Sequence, residues 1–368
     1  WQMTTYTFHT IKAQIFADCS GDSVLAPLVG AKWTKGREAR AEYGESIAPE
    51  QADLKTMGMS CLIQARQRER KVEFIKPEWA YTYENDAELP SRGHSLKHTT
   101  TNFWWMELGG EDDSIKDTEK LRDELLKIAF GVWDHIKNHG DHGADNWDLE
   151  WVGFLPGKRE SRRYIGAHVL TQNDVESGGR FEDIAAYGGW TMDDHNPAGY
   201  RYFGEPTIHH PAPSPYGIPF RSMYSVNIEN LMFAGRNISA THSALSSTRV
   251  MATCAIIGQA VGNGAALCCK YSCKPDDVYK YHLDELQEEI LFDGCYLPTK
   301  SRKIPKCTLE AKSNLTDGQK ALLFNGNERP DKNDTVNYIT LDNGGFIEYK
   351  FAEPVKGTAR LVLDLDYS

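Results

Sequence analysis

The chain has 368 residues, 40% hydrophobic and 25% charged, enough to bury a core and to divide into two or three domains. Its 41 basic and 52 acidic residues leave a net charge of −11, which repels phosphate backbones and anionic headgroups and so argues against nucleic acid as a partner. No stretch reads as the roughly 20 apolar residues that cross a bilayer, so no membrane partner is expected. The eight cysteines contain no C-x-x-C pair, so Cys268, Cys269 and Cys273 read as small apolar helix residues and no metal is expected.

In chain order, residues 11–17 alternate as a strand with Ile11, Ala13 and Ile15 on its apolar side. It runs into the turn Asp18, Cys19, Ser20, Gly21, Asp22, the kind of strand end where α/β folds place ligands. Residues 35–156 are mixed in character, with one amphipathic helix after Asp117 marked by Leu121, Leu125, Ile128, Val132 and Ile136 and closed by Gly140. Residues 196–220 are rich in proline and predict an ordered loop, since proline is excluded from helix interiors and central strands. A strand over 230–234, the turn Gly235-Arg236 and a helix over 247–271 form a second strand, turn and helix unit. A further helix is predicted over 277–292, starting at Asp276 or Asp277 and burying Tyr281, Leu286 and Ile290.

Past Pro298 the runs become short and alternating. Ile347, Tyr349 and Phe351 face one way, Leu361, Leu363 and Leu365 repeat the pattern, and Asn314, Asn325-Gly326-Asn327 and Asp342-Asn343-Gly344-Gly345 supply turn signals. This predicts a β-sandwich segment over 308–368, with too few strands to close by itself.

Most of the chemical content lies in NLMFAGR, residues 230–236, followed by STRVM, residues 247–251. The strand delivers Gly235 to a turn that lets another group approach the backbone closely. The helix that follows opens with hydroxyl residues, and its free N–H groups suit an anionic or electron-rich ligand. Gly258, Ala260, Gly262, Gly264, Ala265 and Ala266 keep that helix thin; a helix packed tightly on a sheet explains the same composition without a ligand. Arg236 and Arg249 have the plain alternative of surface salt bridges. Arg159, Glu160, Arg162 and Arg163 alternate in charge, as a solvated face does.

The segment NLMFAGRNISATHSALSSTRVMATCAIIGQAVGNGAAL resembles the C-terminal flavin-binding motif of a family of FAD-dependent oxidoreductases, many of them bacterial proteins of unassigned substrate and some labelled xanthan lyase. IFADCSGDSVLAPLVGA, KGREARAEYGES, LPGKRESRRYIGAHVLTQND, PYGIPFRSM and HLDELQEEILFDGCYLP resemble further blocks of that family in the same order, together spanning roughly residues 11–298. The resemblance implies an α/β fold: a split, Rossmann-like FAD-binding domain (1–34 and 226–298), an inserted α+β substrate domain with its cap loop (35–225), and the β-sandwich segment. It implies FAD as cofactor, with Asp18, Gly21 and Asp22 at the turn returning to the nucleotide domain. Gly235, Arg236 and Asn237 would lie beside the ribityl and pyrophosphate, and Thr248, Arg249 and Val250 near the isoalloxazine ring. The family's G-x-G-x-x-G fingerprint does not occur in this sequence, so a preceding segment of the same protein is expected as a partner of the site.

Hydride transfer between a small-molecule substrate and flavin needs a group that exchanges the substrate's hydroxyl or amine proton, and histidine suits that task. His195 and His210, which flank the proline-rich loop, and Asp194 are the candidates, with Asp193 and His209 adjacent. The tail resembles the opening strands of discoidin-like, galactose-binding-type modules, which implies a carbohydrate-derived substrate and a periplasmic or extracellular setting, with a cytoplasmic one as the alternative. A polysaccharide lyase or a carbohydrate-binding protein would share the aromatic, acidic composition, but neither requires the flavin-family blocks.

Overall fold

The computed structural model describes residues 9–90, 94, 96, 103–327 and 338–356. Helices and small sheets form a mixed α/β fold around two apolar cores. One core gathers Tyr164, Ile184, Tyr216, Phe220, Met232 and Phe233 against helical Ile257, Val261, Leu286 and Ile290. The other gathers Met59, Trp105 and Leu108 against the helix Thr118–Asn138, whose stripe Leu121, Leu125, Ile128, Val132 and Ile136 is buried as its periodicity predicts.

At the centre of the first core, Phe16–Asp18 pairs in parallel with Leu231–Phe233, with Phe16 level with Leu231 and Asp18 with Phe233. A parallel pair needs a crossover connection, here the whole of residues 19–230. Both strands therefore end at the same edge, and the turns after Asp18 and Phe233 emerge side by side, with the Ala234 N–H donating to the Asp18 carbonyl at 3.2 Å. The first strand is shorter than its sequence pattern suggests, because only the residues level with Leu231–Phe233 find a ladder partner; Ile11 is 75% exposed.

Residues 247–271 form the end of one helix and the whole of another, not a single helix. His242–Thr248 is buried throughout and is capped by Thr241, whose Oγ1 accepts from the Ala244 N–H. Val250 is extended (φ −66°, ψ 145°) and opens the second helix, Met251–Tyr271. The break has a packing cause. The first helix is tied to the 190–195 region, with Ser247 Oγ donating to the Trp190 carbonyl at 2.6 Å, whereas the second lies on Leu231–Phe233 and Ile184–Gly188. A Cβ on Gly264 would sit 2.7 Å from the Phe220 ring, so only a bare backbone lets this helix settle so close. Contrary to the expectation from composition, Met251–Tyr271 is long and apolar enough to cross a membrane by length and composition alone. Here Ile257, Ala260, Val261 and Leu267 bury one side of it in the core, while Met251, Ala255, Gly262 and Ala266 are exposed on the other.

The predicted helix over 277–292 is also two, Pro275–Tyr281 and Leu283–Phe292, separated at His282, whose ring stacks on Tyr271 at 3.9 Å. Proline takes the first turn, where its missing N–H costs nothing, and Asp277 accepts from the Lys274 N–H at 3.0 Å. Tyr281, expected inside, is 74% exposed. The proline-rich segment is more regular than a loop. It contains the strands Thr207–His210 and Tyr216–Pro219, and Pro206, Pro211 and Pro219 stand at their ends, where ladder hydrogen bonds are dispensable.

In the tail, the described residues hold two short helices, Lys306–Glu310 and Asp317–Leu323, and one pairing of Lys312–Ser313 with Tyr349–Lys350. Thr316 and Gln319 form a capping box, a helix-start signal that competes with the alternating pattern. Leu361, Leu363 and Leu365 lie outside the described residues.

Candidate functional site

The turn after Phe16–Asp18 is fixed from within. Asp18 is buried, and its carboxylate accepts from the Ser20 N–H (2.9 Å) and hydroxyl (2.6 Å), the Leu25 N–H (3.0 Å) and the Tyr164 hydroxyl (2.5 Å). Burial alone would raise its pKa, but these donors outweigh burial and hold it below the usual carboxylate range. The Asp18 side chain is thus committed to shaping the turn. Gly21 has φ +75°, and a Cβ there would lie 2.4 Å from the Arg236 guanidinium. Arg236 lies across that bare backbone and pairs with Asp22 at 2.8 Å, while Asp22 also receives Lys158 at 2.9 Å and Ser161 at 2.6 Å. Burial again pushes against ionisation of Asp22, and the same partners reverse it, leaving its pKa lowered. From the neighbouring strand, Gly235 turns with φ +103°, and Asn237 is buried with its Nδ2 donating to the Asp18 carbonyl at 3.4 Å.

A second group of residues forms around the antiparallel strands Met192–His195 and Thr207–His210. Alternation along the first strand sends Asp193 and His195 to one face and Asp194 to the other. His195 is 4% exposed; its Nδ1 lies 2.7 Å from Glu107, its Nε2 3.3 Å from Asp193, and its ring meets Trp104 edge-on. Arg249 donates to both the carbonyl and the carboxylate of Asp193 at 3.1 Å. Asp194 lies 3.0 Å from Nε2 of His242, whose Nδ1 is 2.9 Å from Glu160. Burial works against a charged His242, but Glu160 and Asp194 outweigh it and push its pKa up to about 10. Glu160 in turn accepts from the Met57 N–H at 2.9 Å and pairs with Arg163, which reaches Glu38 at 2.5 Å and the Gly36 carbonyl at 2.8 Å.

The structure therefore brings His195 and Arg249 together on Asp193 and sets Asp194 on His242 from the other face of the same strand, and it brings Gly21, Asp22, Gly235, Arg236 and Asn237 into one turn pair. His210 is half-buried, level with Met192 and within electrostatic reach of Asp194. Thr248 and Val250 do not open a common helix: Thr248 ends the first helix and Val250 caps the second. Glu160 and Arg163 are wholly buried, not on a solvated face. Glu107 and His242 carried no signal of their own in the sequence, although His242 lies within the 230–267 block.

Among the described residues, Arg236 Nε, Asn237 Oδ1, Ser239 Oγ, Thr248 Oγ1 and Arg249 Nε are buried polar atoms without a protein partner. Such atoms are ordinarily satisfied, and five of the twelve found among the described residues fall between 236 and 249. Cys254 lies within electrostatic reach of both Arg236 and Arg249, which ties the turn pair to the ionic network.

Neither curated proteins nor solved structures gave a match to the chain. A family model described as FAD dependent oxidoreductase matches residues 2–290, a span that contains both strand ends, the ionic network and every orphaned atom named above. The chain therefore belongs to the FAD-dependent oxidoreductase family, and FAD is its cofactor.

Proposed function

We propose that this enzyme transfers hydride between a small, sugar-derived substrate and FAD, with the orphaned polar atoms of 236–249 as the observation that carries the placement of the cofactor. Those atoms, the parallel strand ends and the bare backbone at Gly235 fit a dinucleotide better than a small anion. Asp18, Gly21 and Asp22 would shape the turn, Asp22 by holding Arg236, and Gly235, Arg236 and Asn237 would lie beside the ribityl and pyrophosphate, Arg236 through charge-assisted bonds. Thr248, Arg249 and Val250, with the first N–H groups of Met251–Tyr271, would face the ring end. FAD, when bound, supplies the two-electron acceptor. His195, held between Glu107 and Asp193, would exchange the substrate's proton at Nε2 once the substrate displaces Asp193 from that nitrogen. Asp194 and His210, on the opposite face of the strand pair, would not touch that substrate; Asp194 would hold the strand in place through His242.

A fingerprint-bearing segment of the same protein would complete the site along Phe16–Asp18, whose second edge carries no strand among the described residues, and on the exposed side of Met251–Tyr271. A sugar-derived substrate rests on the resemblance of the tail to galactose-binding-type modules; the pocket of about 390 Å³ lined by Tyr81, Tyr83, Tyr200, Glu88, Glu124 and Arg201 lies on the second core and shares no residue with this site.

FAD titration of the protein joined to that segment, followed by anaerobic addition of a panel of sugars and sugar acids, tests the reading. Bleaching of the flavin band by a panel member supports it. Failure to bind FAD, or turnover of polysaccharide by the flavin-free protein, overturns it. Within that assay Arg236→Ala is expected to weaken FAD binding by about tenfold or more, since a hydrogen bond to a charged group contributes roughly 1.5–3 kcal/mol. An unchanged dissociation constant would place the pyrophosphate elsewhere.

A further inference from the structure

The last turn of Thr118–Asn138 places His135, fully buried, on the same stripe as Ile128 and Val132. A polar ring on a core-facing stripe must be satisfied. Its Nδ1 lies 2.9 Å from the Tyr83 carbonyl, which can only accept, so Nδ1 is the donor. In the neutral tautomer this leaves the Nε2 lone pair facing Asp86 Oδ1 at 2.9 Å and His142 Nε2 at 3.1 Å. Two acceptors in contact repel, and either a proton or a metal cation between them removes the conflict. The surroundings favour the metal. His94 Nε2 and His142 Nε2 both lie 3.6 Å from the same Asp86 oxygen, and the four ligand atoms fall within 4.8 Å of one another. The three imidazole planes are inclined to one another by 51° to 76°, so ring edges, not faces, converge.

We propose that Asp86, His94, His135 and His142 form a Zn2+ site. Zinc bonds to nitrogen and oxygen of about 2.0–2.2 Å in a tetrahedron set the ligand atoms about 3.3–3.6 Å apart; the contacts between 2.9 and 3.6 Å lie close to that spacing, and the widest separation, 4.8 Å, closes by a turn of the partly exposed His94 or His142 ring. Three imidazoles and one carboxylate suit zinc better than the all-oxygen shells of magnesium or calcium. The Tyr83 carbonyl supplies the outer hydrogen bond that fixes a ligating ring. Asp86 is 71% exposed on its side chain and provides the entry path. Four protein ligands leave no open position, so the ion is structural: it ties the Asp86–Glu88 turn and His94 to the end of the helix and to the loop that carries His142. The spacing of these four residues in sequence is irregular, and only the fold assembles them.

Chelator-stripped full-length chain titrated with Zn2+ and, separately, with Co2+ provides the test. One Zn2+ per chain, a Tm raised by several degrees, and the intense visible bands of four-coordinate Co2+ are expected. His142→Ala and His94→Ala replace partly exposed rings, and each should weaken Zn2+ binding by about tenfold or more. The proposal is overturned if the stripped chain binds no stoichiometric Zn2+ and keeps its Tm, the result a protonated His135 would give. Full Zn2+ affinity in the His94→Ala, His142→Ala double variant also overturns it, by placing the ion elsewhere.

Discussion

Arg163→Met is expected to lower the unfolding free energy by about 3–5 kcal/mol, the usual effect of removing one partner from a buried ion pair. Arg163 is fully buried and holds Glu160 and Glu38 together. Methionine replaces its volume but leaves these two carboxylates facing each other, without the guanidinium that joins them. The Gly36 carbonyl loses its donor as well. Much of the effect is architectural. Glu160 accepts from the Met57 N–H and Glu107 from the Gly58 N–H at 2.9 Å, both ahead of the Met59 strand that enters the second core. Arg163 and His242 flank residues of the first core. The charges thus stand where the two cores meet, and removing one loosens the seam. Urea unfolding measures the change, and Arg163→Lys, which keeps the charge without the guanidinium fork, should recover part of it. A loss below about 1 kcal/mol, typical of exposed pairs, would show that the network tolerates the gap and would refute this account.

What the sequence revealed follows from how local each signal is. The stripe of Thr118–Asn138 and the strand ending at Phe233 are local patterns, and both stand where periodicity put them. Gly21, Asp22, Gly235 and Arg236 were legible because a strand followed by a glycine turn is a local signature; that Arg236 lies across Gly21 is a contact over more than 200 residues and was not. Helix breaks were missed where tertiary contacts overrode propensity, at Arg249 through Asp193 and at His282 through Tyr271. The run Arg159, Glu160, Arg162 and Arg163 shows the same limit for charge. Alternating sign looks solvated unless partners are known, and Glu160 and Arg163 find theirs in His242 and Glu38, about 80 and 125 residues away in the chain.

Stability is also expected to fall between about pH 6.5 and pH 10, and His242→Gln to flatten that decline. His242 is buried between Glu160 and Asp194, and although burial opposes its charge, the two carboxylates lift its pKa from the ordinary 6.5 to about 10. A raised folded-state pKa means that the native chain holds the proton more tightly than the unfolded one. Its contribution is complete below pH 6.5 and disappears as the pH rises through 10. The carboxylates have the opposite sign. Asp194 and Glu160 are held below their ordinary range against the pull of burial, so their share is present above it and is lost as the solution is acidified. The network therefore contributes most in the mildly acidic window between the two losses. Each pKa unit corresponds to about 1.4 kcal/mol, so the alkaline decline should amount to a few kcal/mol, belonging to the three groups as one titrating unit. Glutamine retains a donor toward one carboxylate but cannot take up the proton, so the variant should be less stable than the parent near pH 6 and approach it near pH 10. Urea midpoints measured across that range decide the matter: a flat profile in the parent chain, or an equal slope in the variant, would show that His242 is not the group that titrates.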